Sequence, residues 1–321
     1  MKEPSVLISI LNWNAPENTI QTVRSVLLSA YDNYKIVLLD NHSTDNSESL
    51  LREAFPQIQL LKMRSNLGYA GAHKEASGIA VKENYELLWI LNNDVEVYPD
   101  SLKELVNAYK RNGASLLGSV SLDPDGTTIS FAGGLEVDEY NKTHGKSGYN
   151  IFAGKKIDEV ELQERPVSGV EGSSFLIPVS VIKKNGFMDT RFFLYGEETD
   201  YCYRLREKFN VPTIVVPSSK VIHHGGGSFR KNEKLKWVRI YYTTRNGNLV
   251  HKKYQKENKI IEMSAKRIPY YFRYFFKHYF IIPASKKDTD YWFTYYQELG
   301  NLHSMLRIKG KYLNPEKFQN F

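Results

Sequence analysis

Cysteine is almost missing from this chain: among 321 residues there is one, Cys202. That excludes an internal disulfide and makes a reducing compartment, the cytoplasm, the expected location. Long hydrophobic runs are missing too. The apolar stretch near the start, SVLISIL at 5–11, is ended by Asn12 and is too brief for a signal peptide or a membrane span. Internal repeats and low-complexity linkers are also absent. Acidic residues are fewer than basic ones, 36 against 43, and the formal charge of +7 favours anionic partners such as nucleotide phosphates, acidic lipid or nucleic acid. What the chain does have is a 41% hydrophobic content, enough for a sizeable core.

The apolar residues fall into an alternating pattern. Residues 5–11 and 35–40 (KIVLLD) read as strands, and TIQTVRSVLLSA between them has helical spacing. A helix at 46–55, a strand QIQLLKM, a helix from about Gly71 to Val81 and a strand ELLWIL follow. Strands alternating with helices predict an α/β fold whose sheet is mixed but mainly parallel, with helices on its faces. From about 114 the strands shorten and turns such as DPDG (123–126) and AGG (132–134) intervene, so the second half is expected to be mixed. A helix is expected at 198–208 and a strand at VPTIVVP. Beyond Lys234 the chain reads as helical, basic and aromatic. The expected organisation is one domain over 1–240, in halves 1–113 and 114–240, with a helical extension over 241–321.

In open α/β sheets ligands bind beyond the carboxyl ends of the strands. Here every such end is polar: Asn12, Trp13 and Asn14; Asp40, Asn41, His42 and Ser43; Arg64, Ser65, Asn66 and Gly68; Asn92, Asn93 and Asp94. Any one of these groups serves as a helix cap or turn. Four in a row, with a ring, hydrogen-bonding side chains, a glycine that lets backbone approach closely and a terminal carboxylate, describe a nucleotide site.

NWN (12–14), DNHSTDNS (40–47), NLGYAGA (66–72), LNNDVEV (91–97), GFMDTRFFLYGEETDYCYRL (186–205), HHGGGS (223–228) and RN (245–246) occur in an order and spacing that resembles family 2 glycosyltransferases of the GT-A fold, in particular bacterial rhamnosyltransferases. The likeness covers roughly residues 4–250. It implies a nucleotide-binding half over 1–113 and an acceptor and catalytic half over 114–240. It places Leu11 and Trp13 beside the base, Asp40 and Asn41 on base and ribose, and Asn66, Gly68, Asn92 and Asn93 around the nucleotide. Many members have Asp where this chain has Asn92 or Asn93. Asp94 matches the last acid of the family's metal-binding motif, which implies Mg2+ or Mn2+, and His223 or His224 would reach the metal or diphosphate. A pair of structural histidines is the alternative. Lys74, after NLGYAGA, contacts phosphate or is solvated.

By the same resemblance Glu198 stands at the position of the catalytic base, with Glu197 and Asp200 as supporting acids; all three would also cap a helix start. Arg204, one helical turn on, pairs with Asp200 in that reading. Gly172, Ser173 and Ser174 match a segment bordering the acceptor and donor sugar, and a plain tight turn accounts for them as well. The implied activity is inverting transfer of a sugar, rhamnose from dTDP-rhamnose favoured and a UDP-sugar the alternative, to a glycan or polyprenyl-linked acceptor in surface polysaccharide assembly. A non-catalytic nucleotide-sugar fold that binds a membrane or a partner is the competing reading.

The segment RIPYYFRYFFKHYFIIP (267–283) interleaves rings with cations. It is too short and charged to span a bilayer but suits a membrane interface, on the inner face of the cell membrane, or an ordinary helix packing its rings on the protein. No recognised nucleic-acid module accompanies it, so nucleic acid is not an expected partner.

Overall fold

The computed structural model describes residues 2–134, 152–225, 233–254, 267–283 and 288–318. The last three residues of HHGGGS lie outside them. The chain divides into two compact units, Met1–Met188 with Glu198–Ser228, and Asp189–Glu197 with Phe229–Phe321.

The first unit opens with the alternation expected: β1 (Val6–Asn12), α1 (Pro16–Val26), β2 (Tyr34–Asp40), α2 (Ser47–Ala54), β3 (Gln59–Lys62), α3 (Gly68–Lys82) and β4 (Leu87–Asn92). Strands β1 and β4 are buried on both faces, as an unbroken apolar run in a parallel sheet requires. Pro16 starts α1 at a position whose N–H has no helical partner in any case. The register then aligns the strand ends: Asn12 stands opposite Asp40, and Leu11 opposite Asn92. The polar residues that follow each strand therefore share one rim.

Two elements were not expected. β5 (Val95–Val97) and α4 (Ser101–Asn112) follow directly after β4, although Leu102, Leu105 and Val106 carry the helical spacing and are buried. After β6 (Leu116–Leu122), β7 (Ile129–Phe131), β8 (Arg165–Pro166) and β9 (Ser174–Pro178) comes α5 (Val179–Asn185), then α6 (Glu197–Phe209) and β10 (Thr213–His223). The sheet order is β3-β2-β1-β4-β9-β6-β10-β5, with β7 on β6 and β8 on β10. β9 runs antiparallel between β4 and β6, whereas β10 is parallel to β6. Two apolar layers cover the two faces, one around Val37, Leu88, Ile90 and Phe175, the other around Ile8, Ile10, Trp89 and Leu176.

The second unit contains α7 (Glu233–Tyr254), α8 (Ile268–Phe280) and α9 (Thr289–Met305). α7 runs through the boundary expected at 240/241, because its register keeps Val238, Tyr241, Tyr242 and Arg245 buried in one continuous helix. Helices α7 and α9 approach closely at Gly300, where a Cβ would stand 2.8 Å from the Tyr241 carbonyl oxygen. Arg245 is fully buried and donates to the carbonyls of Gly310 (2.8 Å) and Phe192 (3.1 Å), with its guanidinium 4.7 Å above the Tyr242 ring. Asn246 donates to the carbonyls of Phe192, Leu194 and Tyr195 at 2.7–2.8 Å. Those contacts draw 189–197 into this unit and make it discontinuous in sequence. Among the described residues no helix is long and apolar enough to cross a membrane.

Candidate active site

A buried hydrogen-bond chain runs along the rim of the first unit. The Asn93 amide donates to Thr19 Oγ1 (3.0 Å), Thr19 donates to Asn12 Oδ1 (2.7 Å), and Asn12 Nδ2 donates to Asp40 Oδ1 (2.9 Å). Ser43 completes it, donating its hydroxyl to Asp40 Oδ1 and its backbone N–H to Asp40 Oδ2. Four segments are thereby tied at one level, which answers the desolvation cost of the buried Asp40 carboxylate. Next to it Asn41 accepts from the Leu67 N–H (2.8 Å) and donates to Asn66 Oδ1 (3.1 Å) and the Gly68 carbonyl (3.3 Å). Asn66 Oδ1 accepts from the Gly68 N–H, and Gly68 adopts a left-handed φ of +72°, a conformation that favours glycine. Asn41, Asn66 and Gly68 thus build the β3–α3 turn. Trp13 is buried and Leu11 half-buried beside this chain.

Asp94 is buried at the turn after β4, and its backbone carbonyl accepts from the His224 N–H (2.9 Å). That bond brings the last residue of β10 to the carboxylate: His223 Nε2 lies 3.3 Å from Asp94 Oδ1. Nε2 is nonetheless off line for a hydrogen bond and is left as a buried ring nitrogen without one. On its other side Nδ1 lies 3.3 Å from Glu171 Oε1. Burial opposes charge on this ring, yet the two flanking carboxylates prevail and raise His223 to about 10. Glu171 Oε2 accepts from the hydroxyls of Ser121 and Ser173, each at 2.6 Å. Burial pushes the Glu171 carboxyl up, but His223 and the two serines hold it below the usual carboxylate range.

The segment 171–173 continues to the acids of α6. A Cβ placed on Gly172 would stand 3.8 Å from Glu198 Cδ and 3.3 Å from the Tyr69 hydroxyl, and Tyr69 donates that hydroxyl to the Gly172 carbonyl. The Ser173 carbonyl accepts from the Asn92 N–H (3.0 Å). Two adjacent residues therefore connect the two parts of the site: Glu171 touches the His223 ring of the Asp94–His223 pair, and Gly172 lies beside Glu198. Glu198 is half-buried, whereas Glu197 and Asp200 are buried. Arg204 donates to the carbonyls of Asn185 and Phe187 at 2.8 and 2.5 Å, pinning the turn that ends α5 where a pair with Asp200 was expected. His224 is exposed, with Glu96 at 3.9 Å, and Lys74 is exposed on α3. A cleft of about 440 Å³ opens beside Asp94, lined among others by Asn18, Gln21, Arg24 and Glu96.

A divalent cation fits the Asp94–His223 pair. The Asp94 carboxylate offers an oxygen, and His223 Nε2 offers a lone pair once the cation displaces the proton that the two flanking carboxylates otherwise keep on the ring; such ions are commonly held by one or two protein groups with substrate phosphates and water supplying the rest. Among the described residues no group of three or more His, Cys, Asp or Glu side chains gathers as a closed metal site. Glu171 and Tyr69 were missed by sequence reasoning. Glu171 does stand next to the Gly172–Ser173 pair that was singled out, but nothing in sequence separates it from a surface glutamate.

Over residues 5–157 the chain matches the family model described as Glycosyl transferase family 2. It is 31% identical over 204 residues to the N-acetylglucosaminyl-diphospho-decaprenol L-rhamnosyltransferase of Mycobacterium tuberculosis, across 59% of this chain and 66% of that one. The chain carries a glycosyl transferase family 2 domain. A further relative of this chain, the low-salt glycan biosynthesis hexosyltransferase Agl10 of Haloferax volcanii, is 25% identical over 267 residues, 82% of this chain and 78% of its own length. The chain spans about two thirds of the length of the mycobacterial relative. A solved structure described as GalNAc-T7 with UDP, GalNAc and Mn2+ matches with a TM-score of 0.56 at 14% identity, over 95% of this chain and 56% of that one. That likeness concerns the fold, an α/β GT-A sheet with helices on both faces.

Proposed function

We propose that this chain is an inverting glycosyltransferase that moves a sugar from a nucleoside diphosphate to a hydroxyl of a polyprenyl-linked or other glycan acceptor. The observation that carries it is the adjacent pair Glu171 and Gly172, the first against the His223 ring of the Asp94–His223 pair and the second beside Glu198. Rhamnose from dTDP-rhamnose is the favoured donor, supported by the rhamnosyl name of the mycobacterial relative. A UDP-sugar is the alternative. The decaprenol in that relative's name supports a lipid-linked acceptor, met from the cytoplasmic side by peripheral contact.

Asp94 and His223 would hold Mg2+ or Mn2+, which when bound supplies positive charge opposite a diphosphate leaving group. Asn93 and the Asn12–Asp40 chain fix the height of the rim on which base and ribose rest. The Glu198 carboxylate accepts the proton of the acceptor hydroxyl while that oxygen forms its bond to the anomeric carbon. The bond from that carbon to the phosphate oxygen breaks on the opposite face, and the diphosphate leaves with the electron pair, so the configuration inverts. Tyr69, by holding the Gly172 carbonyl, keeps the floor beside Glu198 in place.

A transfer assay with purified protein, a panel of nucleotide sugars and a lipid-linked acceptor tests this reading. Glu198→Gln keeps the side-chain shape and removes the base, so turnover should fall by about 10²–10⁴-fold; Asp94→Ala should abolish it. Normal rates in both variants, with folding intact by circular dichroism, would refute the assignment.

A further inference from the structure

Helix α8 has two apolar faces, and among the described residues only one of them is covered. Tyr271 and His278 are buried against α9, where the His278 ring stacks 4.1 Å from Tyr295 and accepts or donates a hydrogen bond at the Tyr291 hydroxyl. The opposite face carries Ile268, Phe272, Phe276 and Phe280, four apart and so in line along the helix. Tyr279 is exposed beside this row. The row's residues are strongly exposed: Phe272 is 75% and Phe280 76% accessible. Scattered exposed rings are ordinary, but a contiguous row of this kind marks an interaction site.

We propose that this face of α8 docks in the headgroup region of an anionic lipid bilayer. Charge selects that occupant. Arg273 and Lys277 are exposed and lie one position after Phe272 and Phe276, so they form a basic edge along the row. From Met263 to Lys287 the sequence has six Lys or Arg residues and no acid. A second copy of the chain would bring an identical basic edge against this one, and like charges would oppose the contact. An acidic surface attracts it. Phenylalanine rings on the apolar face suit burial at the headgroup and acyl-chain boundary, the Tyr279 hydroxyl suits the headgroup level, and a 13-residue helix carrying two cations lies along that boundary without crossing it.

The inference goes beyond the transferase reading and is measured apart from it, by binding to vesicles without donor or acceptor. Full-length protein is sedimented with vesicles of phosphatidylglycerol and phosphatidylcholine, and with phosphatidylcholine alone. Binding is expected to the anionic vesicles, weaker in high salt, and reduced at least about tenfold in Phe272→Ser/Phe276→Ser/Phe280→Ser and in Arg273→Glu/Lys277→Glu. All five positions are on the surface, and an unchanged thermal transition checks that each variant folds. Failure of wild-type protein to bind anionic vesicles would overturn the proposal. So would full binding by the triple variant, or a dimer seen by light scattering that the triple variant loses without any vesicle binding.

Discussion

The loop 192–197 leads into the acid-bearing helix α6, and its conformation is costly by itself. Phe193 and Tyr195 have left-handed φ values of +68° and +62°, each worth on the order of 1–3 kcal/mol of strain that only surrounding contacts can hold. Asn246 supplies those contacts. Its Nδ2 faces the carbonyls of Phe192, Leu194 and Tyr195, while Arg245 Nε donates to its Oδ1 at 2.8 Å and fixes which end of the amide points at the loop. An amide nitrogen has two hydrogens, so three contacts amount to two net bonds of about 0.5–1.5 kcal/mol each. Arg245 keeps the Phe192 carbonyl bonded when Asn246 is cut back, but the other two lose their donor, so Asn246→Ala should cost about 2–3 kcal/mol. For a unit of about a hundred residues that is roughly a 9–14 °C lower melting temperature. Trp237 and Trp292 lie in the second unit, so fluorescence-detected unfolding in urea would include its transition. Asn246→Asp keeps the shape but turns a carboxylate toward carbonyls, and should be at least as damaging. A loss below about 0.5 kcal/mol in both variants would mean the loop is held by something else.

Glu171→Ala should weaken Mn2+ binding in the presence of a nucleoside diphosphate by about 10–100-fold, because the carboxylate behind Nδ1 sets the orientation of the His223 ring; calorimetry showing unchanged affinity would remove it from that role. His73 is buried with Nδ1 2.8 Å from Ser9 Oγ and Nε2 without a hydrogen bond, and burial lowers it to about 3. The folded state therefore refuses a proton that the unfolded chain accepts below about 6.5, so its contribution is whole above that pH and declines toward pH 3 at up to about 1.4 kcal/mol per unit. His73→Gln does not titrate, and urea titrations at pH 7, 5 and 4 should show the variant losing less stability than wild type.

The parallel half of the sheet was readable because its signals are local. Each strand is a short apolar run, each helix carries its own period, and the residues after Asn12, Asp40 and Asn92 had to share a rim once the strands were parallel. The same holds for the run that opens into Asn92, Asn93 and Asp94: the strand ends where its neighbours end, and Asn93 and Asp94 join the hydrogen-bonded rim and the His223 pair. What sequence hid was non-local. β9 inserts antiparallel beside β4 from far along the chain, and only that placement puts Glu171 behind His223 and Gly172 beside Glu198. Asp40, Asn41 and Asn66 were read as ligand contacts from their position. The structure adds that their side chains also satisfy one another and the turn backbone, a use their residue types do not distinguish. The second unit was misjudged in extent because the donors that capture 192–195 sit on α7, beyond any linear boundary.

That capture also sets a delay during synthesis. The carbonyls of Phe192, Leu194 and Tyr195 are made 51–54 residues before Asn246, so at about 5–20 residues per second the ribosome leaves them waiting roughly 3–10 s for their donor. Once β10 is complete at His223, within that interval, the nascent chain has all ten strands of its sheet but not the clasp on the stretch entering α6, and the loop before the acid-bearing end of that helix acquires its lasting backbone shape only after Asn246 has been made.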